Sequence, residues 1–285
     1  MAERVTIPVG RLNIAASRAG DAKKPALILL HGWPHSRALY DGVLDALSVN
    51  FYVLAPDLPN IGDSNGAPSS AEKTVLADVV LKAAESADAH DILIAGLDVG
   101  GMVAFAAARD HSERIEAAVV MNTVIPGLDP WEKLLADPRV WHFAFHKVAD
   151  LPETLVTGRE RAYFDFFHDV LAGEARRIPE ALRADFANAY SRPEALKSGF
   201  DWYRAMTADA CRNAKPTGIE KPLLYMRGDA DKRPIEPYLE GLKAAGVSNV
   251  HSRIIEGSGE LLPIEAPAEF IQALRDFRAG LGTGV

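Results

Sequence analysis

The sequence predicts an α/β protein: a mostly parallel central sheet flanked by helices on both faces, interrupted late in the chain by an α-helical insertion. Three observations carry this reading. Short apolar, β-rich runs alternate with helix-length amphipathic stretches up to about residue 122. Residues 130–215 contain no convincing buried strand and are rich in aromatics and helix formers. Strand-like runs then resume at 222–227 and 250–255, each followed by a helix-length segment. The expected division is a core of residues 1–129 and 216–285 with a helical cap of residues 130–215.

Taken in order, residues 5–16 read as an opening hairpin. The runs 26–30, 51–55, 91–96 and 115–122 are strand-sized and nearly continuous in apolar residues, the pattern of strands buried on both faces. Amphipathic stretches at 36–47, 70–87 and 99–111 follow the first three and supply the crossovers that parallel strands need. Residues 280–285 are expected to fray, and no internal repeat or low-complexity segment is visible.

Composition narrows the function classes. Hydrophobic content of 48% with 25% charged residues suits an ordinary globular chain able to bury a large core. A net charge of −8, without a basic stripe, argues against a nucleic-acid partner. No apolar run reaches the length of a membrane span, and the N-terminus lacks a signal-peptide layout, so a cytoplasmic location is expected. The single cysteine, Cys211, excludes an internal disulfide framework and reads as a buried or incidental thiol.

The most informative segment is Ile92-Leu93-Ile94-Ala95-Gly96-Leu97-Asp98-Val99-Gly100-Gly101-Met102. It reads as a buried strand, a glycine-pinched turn with a carboxylate at its apex, and a helix from Val99. A dinucleotide site needs G-x-G-x-x-G, whereas this chain has G-x-D-x-G-G. The pattern is a G-x-nucleophile-x-G elbow with aspartate where esterases and lipases place serine. A carboxylate needs no base to act as a nucleophile at neutral pH, and its attack on sp3 carbon gives an ester. In an elbow of this kind, one oxyanion-hole amide comes from the loop after an earlier strand and one from the residue after the nucleophile, here Trp33 and Val99. His31 reads as a brace for that loop, and Asp57 and Asp63 as loop carboxylates bonded to nearby amides.

The HGWP loop at 31–34, the DLPxxGDS loop at 57–64, the aspartate elbow and the aromatic insertion occur in an order that resembles the α/β-hydrolase superfamily. Within it, the chain resembles the epoxide hydrolase and dehalogenase branch that uses an aspartate nucleophile, over nearly its whole length. The resemblance implies an α/β-hydrolase fold with a helical cap. It implies that Tyr203, in Asp201-Trp202-Tyr203-Arg204, donates a proton to an epoxide oxygen, although Tyr203 also suits plain packing. It places a polar or halide-binding group at Trp141-His142-Phe143, where His142 is equally a histidine bonded to backbone. It selects Asp231 over Asp229 as the acid after the strand 222–227. It puts the third member at Glu260, in Gly257-Ser258-Gly259-Glu260, where relatives carry histidine. Leu97 replaces a histidine common at the elbow, and Asn60 a common glycine.

With Glu260 facing Asp98 and Asp231, at least one proton should be retained, and sharing between Glu260 and Asp231 is the expected picture. Glu260 is then a base of raised pKa, or the ester persists, or the pocket only binds. The function expected is an epoxide-hydrolase-like hydrolase acting on a small apolar organic substrate, with Asp98 as nucleophile and Tyr203 as acid. The alternatives are a dehalogenase and a catalytically silent binding protein. A serine esterase is disfavoured, since Ser258 lies on the wrong loop. The chemistry requires no cofactor and no metal, because no histidine or cysteine spacing supports a cation at the carboxylates. No membrane partner is implied, and the oligomeric state, a homodimer included, is open.

Overall fold

The computed structural model describes residues 2–171, 173 and 178–281. Eight strands form one sheet: β1 Glu3–Val9, β2 Leu12–Ala19, β3 Ala26–Leu30, β4 Tyr52–Pro56, β5 Leu93–Leu97, β6 Ala117–Met121, β7 Leu223–Gly228 and β8 Val250–Ile255. Their order is β1-β2-β4-β3-β5-β6-β7-β8. β2 runs antiparallel to its neighbours β1 and β4, and the six strands β4-β3-β5-β6-β7-β8 pair in parallel. Successive residues of the inner strands enter opposite cores. Ile28, Leu30, Ile94 and Val120 face one cluster, while Leu27, Leu29, Leu97 and Met121 face the other. Burial on both faces explains why these strands read as unbroken apolar runs. The fold class expected from the sequence is the one observed.

Helices Lys73–Ser86 and Val99–Asp110 follow β4 and β5 as expected. The stretch 36–47 differs. It is a 3-10 turn, Arg37–Tyr40, followed by one helical turn, Leu44–Leu47. Its backbone closes in tight turns, Leu39 N donating to the Ser36 carbonyl at 3.0 Å and Val43 N to the Tyr40 carbonyl at 2.9 Å. Two bonds tie it outward: Arg37 N donates to Asp57 Oδ1 at 2.8 Å, and Tyr40 Oη donates to the Leu30 carbonyl at 2.8 Å. The Arg37 guanidinium pairs with the fully buried Asp57 carboxylate and with Asp63. This anchors the loops after β3 and β4 to each other. Replacing Arg37 with methionine would strand Asp57 without a counter-charge and should lower stability by about 3–5 kcal/mol, read as a reduced midpoint in denaturant unfolding.

Between β6 and β7 the chain forms helices Trp131–Leu135, Trp141–Lys147, Leu151–Val156, Glu160–Leu171, Glu180–Ala189 and Pro193–Asn213. No strand interrupts this run among the described residues. Cys211 lies on the last of these helices and is exposed, not buried. At the C-terminus, Gly280 and Leu281 still belong to helix Pro267–Leu281, and the rest of the tail expected to fray, 282–285, lies outside the described residues. Among the described residues no helix is long and apolar enough to cross a membrane.

Candidate active site

The site begins at the turn between β5 and the helix Val99–Asp110. Asp98 sits there at φ 51°, ψ −121°, a left-handed conformation that a non-glycine residue adopts only when its surroundings dictate it. The glycines around it explain how the turn closes. A Cβ on Gly96 would overlap the Gly100 carbonyl, one on Gly100 would overlap the Leu30 carbonyl, and one on Gly32 would lie 2.5 Å from Asp98 Cβ. Backbone thus passes Asp98 at distances that admit no side chain. The carboxylate is drawn toward the loop after β3, where Trp33 N donates to Asp98 Oδ2 at 2.9 Å, and the neighbouring Val99 amide favours its ionised form. Both amides expected to form an oxyanion hole therefore bear on this one carboxylate.

The loop bearing Trp33 is held as the sequence suggested. The Leu58 amide donates to His31 Nε2 at 3.0 Å, which leaves the Nδ1 proton for the Gly32 carbonyl at 2.9 Å. His31 is a buried brace and makes no bond to Asp98. Asp57 and Asp63 are bound by Arg37 and loop amides. Asn60 has φ 68°, a region that glycine favours and asparagine tolerates, and its Nδ2 donates to Ser198 Oγ at 3.0 Å.

Trp33 also docks the inserted helices. Its indole stacks on His142 (centroids 6.0 Å apart, 15° between planes) and meets His146, Phe164, Phe167 and Tyr203 edge-on. Tyr203 is buried, packs edge-on against Phe143 at 5.1 Å and His146 at 4.4 Å, and feels the charge of Asp98. Burial first, then the Asp98 charge, push its phenol well above the usual range, so the proton stays available at neutral pH. His142 Nδ1 is buried without a partner, and burial lowers the ring's pKa to about 3, so it is neutral. Among the described residues the aromatic contacts of Trp141 run to its neighbours on the insertion and not to Trp33 or Tyr203, and it is 43% exposed.

The loop carrying Glu260 is fixed by two groups that sequence reasoning missed. Asn122, at the end of β6 with φ 47°, donates to the carbonyls of Glu260 (2.7 Å) and Gly259 (3.2 Å) and accepts from the Gly228 amide. Glu265 accepts from the amides of Gly259 and Leu261 at 2.9 and 2.8 Å. These bonds pin the backbone on both sides of Glu260 whatever its side chain. Neither was detectable as a site residue, since the Asn122 bonds span 137 and 138 positions.

The expected Glu260–Asp231 proton sharing is not what the structure has. Arg233 takes the Asp231 carboxylate in a two-point clasp, Nε to Oδ1 at 2.9 Å and Nη2 to Oδ2 at 2.8 Å, and adds its own amide at 3.0 Å. Burial works against ionisation of Asp231, but these bonds outweigh it and hold its pKa below the usual value. Among the carboxylates that act on Glu260, Asp98 bears on it more strongly than Glu265 or Asp231. Burial and then the Asp98 charge push Glu260 well above the ordinary carboxylate range. Burial also raises Asp98, to about 6, but the Val99 and Trp33 amides and the Lys73 ammonium oppose it. Asp98 therefore ionises first and Glu260 keeps the proton. Asp229, not Asp231, reaches the loop, accepting from Ser258 N at 3.3 Å. Leu97 points away from this cluster into the opposite core with Met121 and Leu261. Among the described residues no group of three or more metal-binding side chains is disposed around a cation.

Comparison with known proteins places this geometry. The sequence pattern of the family described as alpha/beta hydrolase fold matches residues 25–267. The chain is 28% identical over 265 residues to the soluble epoxide hydrolase of Corynebacterium sp. (strain C12), covering 90% of each chain. A shorter match, 34% over 105 residues, links it to haloalkane dehalogenase 1 of Mycobacterium bovis, covering 36% of this chain and 35% of that protein. The epoxide hydrolase CorEH superposes with a TM-score of 0.87 over 99% of this chain and 100% of its own, at 24% identity, a likeness of fold.

Proposed function

Because the chain belongs to the α/β-hydrolase fold family, we propose that it is a hydrolase that opens small apolar epoxides, with Asp98 as nucleophile and Tyr203 as proton donor. The observation that carries the reading is the clamp on Asp98. With Oδ2 held by the Trp33 amide, Oδ1 is left to attack, and the Asp98 charge reaches the buried Tyr203 phenol. Attack forms the ester C–O bond, breaks the ring C–O bond, and Tyr203 gives its proton to the departing oxygen. The inserted helices serve as a cap that excludes water during this step.

Ester hydrolysis then falls to Glu260 without help from Asp231. While Asp98 is ionised, burial and then the Asp98 charge keep Glu260 protonated. Esterification removes that charge, so Glu260 can return a proton to the Tyr203 phenolate and become a carboxylate. It next takes a proton from the water that attacks the ester carbonyl, whose oxyanion receives the Trp33 and Val99 amides. Loss of the alcohol regenerates ionised Asp98 and protonated Glu260. No metal or cofactor enters.

The test is intact-mass analysis of the protein with a panel of small apolar epoxides, followed by peptide mapping and product analysis. The expected result is a gain equal to the epoxide mass on the peptide bearing Asp98, with diol appearing as it decays. A panel that yields neither adduct nor diol would discard the reading in favour of a binding protein. Because attack needs the carboxylate, the adduct should form faster as pH rises through about 6 and level off above it; a rate that falls over this range would contradict Asp98 as nucleophile. A second reading, cleavage of a carbon–halogen bond, is favoured by one feature: Trp33 Nε1 is a buried donor with no partner, as a halide site requires. Halide release from small haloalkanes decides between the two.

A further inference from the structure

A buried ion pair outside the cluster already described ties the core to the helix that carries Tyr203. Lys73 opens helix Lys73–Ser86, and Asp209 lies on helix Pro193–Asn213; both side chains are 3% exposed. Lys73 Nζ donates to Asp209 Oδ2 at 2.8 Å and to the Trp202 carbonyl at 2.6 Å. Asp209 Oδ1 in turn accepts the Lys73 backbone amide at 3.0 Å. That amide is one of the unpaired donors at a helix start, where the side chain of the N-cap residue Glu72 makes no capping bond. Three bonds thus fix two points of one helix, at residues 202 and 209, to a single residue of another. Two points determine both the rotation and the axial position of a helix, and Tyr203 is the residue next to the first.

We propose that Lys73 is a positioning residue, holding helix Pro193–Asn213 at Trp202 so that Tyr203 stands beside Asp98, a role that rests on the Asp98–Tyr203 reading above. Simple packing does not explain a lysine here, since a buried pair is often no more stabilising than apolar side chains of similar volume. The Lys73 ammonium also bears on the nucleophile. The charged groups it meets are Asp209, Glu72 and Asp98, and it favours the ionised form of Asp98.

The test separates positioning from stability. Lys73→Met leaves Asp209 buried alone and should lower Tm, whereas Lys73→Met with Asp209→Leu should recover it. The double variant is nonetheless expected to form the Asp98 adduct roughly 10- to 100-fold more slowly at saturating epoxide, the scale of a misplacement of about 1 Å. It should also move the midpoint of the Asp98 carboxyl, followed by 13C NMR and assigned by its loss in Asp98→Asn, to higher pH. An adduct rate and midpoint equal to those of the parent would reduce the pair to a structural tie and overturn the proposal. If Lys73→Met does not fold, Asp209→Asn, which keeps the shape and removes the counter-charge, should shift the same midpoint. If the parent itself forms no adduct, the epoxide reading fails, and the Asp98 midpoint alone decides the role of Lys73.

Discussion

Asp98→Asn is expected to abolish adduct formation and turnover while making the protein more stable. Removing the nucleophile of a hydrolase of this kind costs on the order of 10^4- to 10^6-fold in rate. The gain in stability follows from the same carboxyl. Burial raises Asp98 from 3.8 to about 6, so the unfolded chain ionises it more readily than the folded one. A raised carboxyl pKa means the native state binds more protons than the unfolded state between those values. Its stability therefore falls as pH rises from about 4 to 6 and stays lower above. The difference corresponds to about 3 kcal/mol of destabilisation at neutral pH. Asparagine keeps an oxygen for the Trp33 amide and removes the charge that Glu260 resists. A higher Tm at pH 7 that converges on the parent value near pH 4, together with lost activity, is the expected signature. A variant of lower Tm at pH 7 would mean that Asp98 is a supporting carboxylate rather than a strained nucleophile.

How much of this was legible in the sequence follows from the range of the forces involved. The elbow was readable because its requirement is steric and local: glycine at 96 and 100 is dictated by backbone passing within a few positions and by β3. The inner strands were readable because burial on both faces leaves unbroken apolar runs, and the ends found differ from those expected by two residues at most. The stretch 36–47 was misread as one helix because its amphipathic pattern is real, while the anchors that tie its first turn to Asp57 and Leu30 lie outside it. Lys73 and Asp209 stand 136 positions apart, and nothing in either neighbourhood marks them as a pair. The Asp231 error is of another kind. Arg233 is only two residues away, but whether a nearby arginine turns back onto a carboxylate is decided by the fold of the turn, not by spacing.

That arginine shapes the second large prediction. Glu260→His should accelerate decay of the Asp98 ester by roughly 10^2-fold, the lower range of what a positioned general base supplies. The loop should accept the change, since Asn122 and Glu265 hold the backbone of residues 259–261 and not the side chain of Glu260. The gain is limited by Asp231, whose carboxylate is already clasped by Arg233 and is not free to orient an imidazole. An orienting carboxylate is worth up to about 10^4-fold in a comparable relay, so combining Glu260→His with Arg233→Met should increase the rate again, well beyond the product of the two single effects. Arg233→Met alone should not speed ester decay, because the Arg233 charge favours the ionised form of Glu260. Pulse-labelling with an epoxide and following the adduct mass with time measures all four proteins on one scale. Additive effects would show that Asp231 plays no part even when histidine is present, and unchanged decay in Glu260→His would place the water-activating group elsewhere in the pocket.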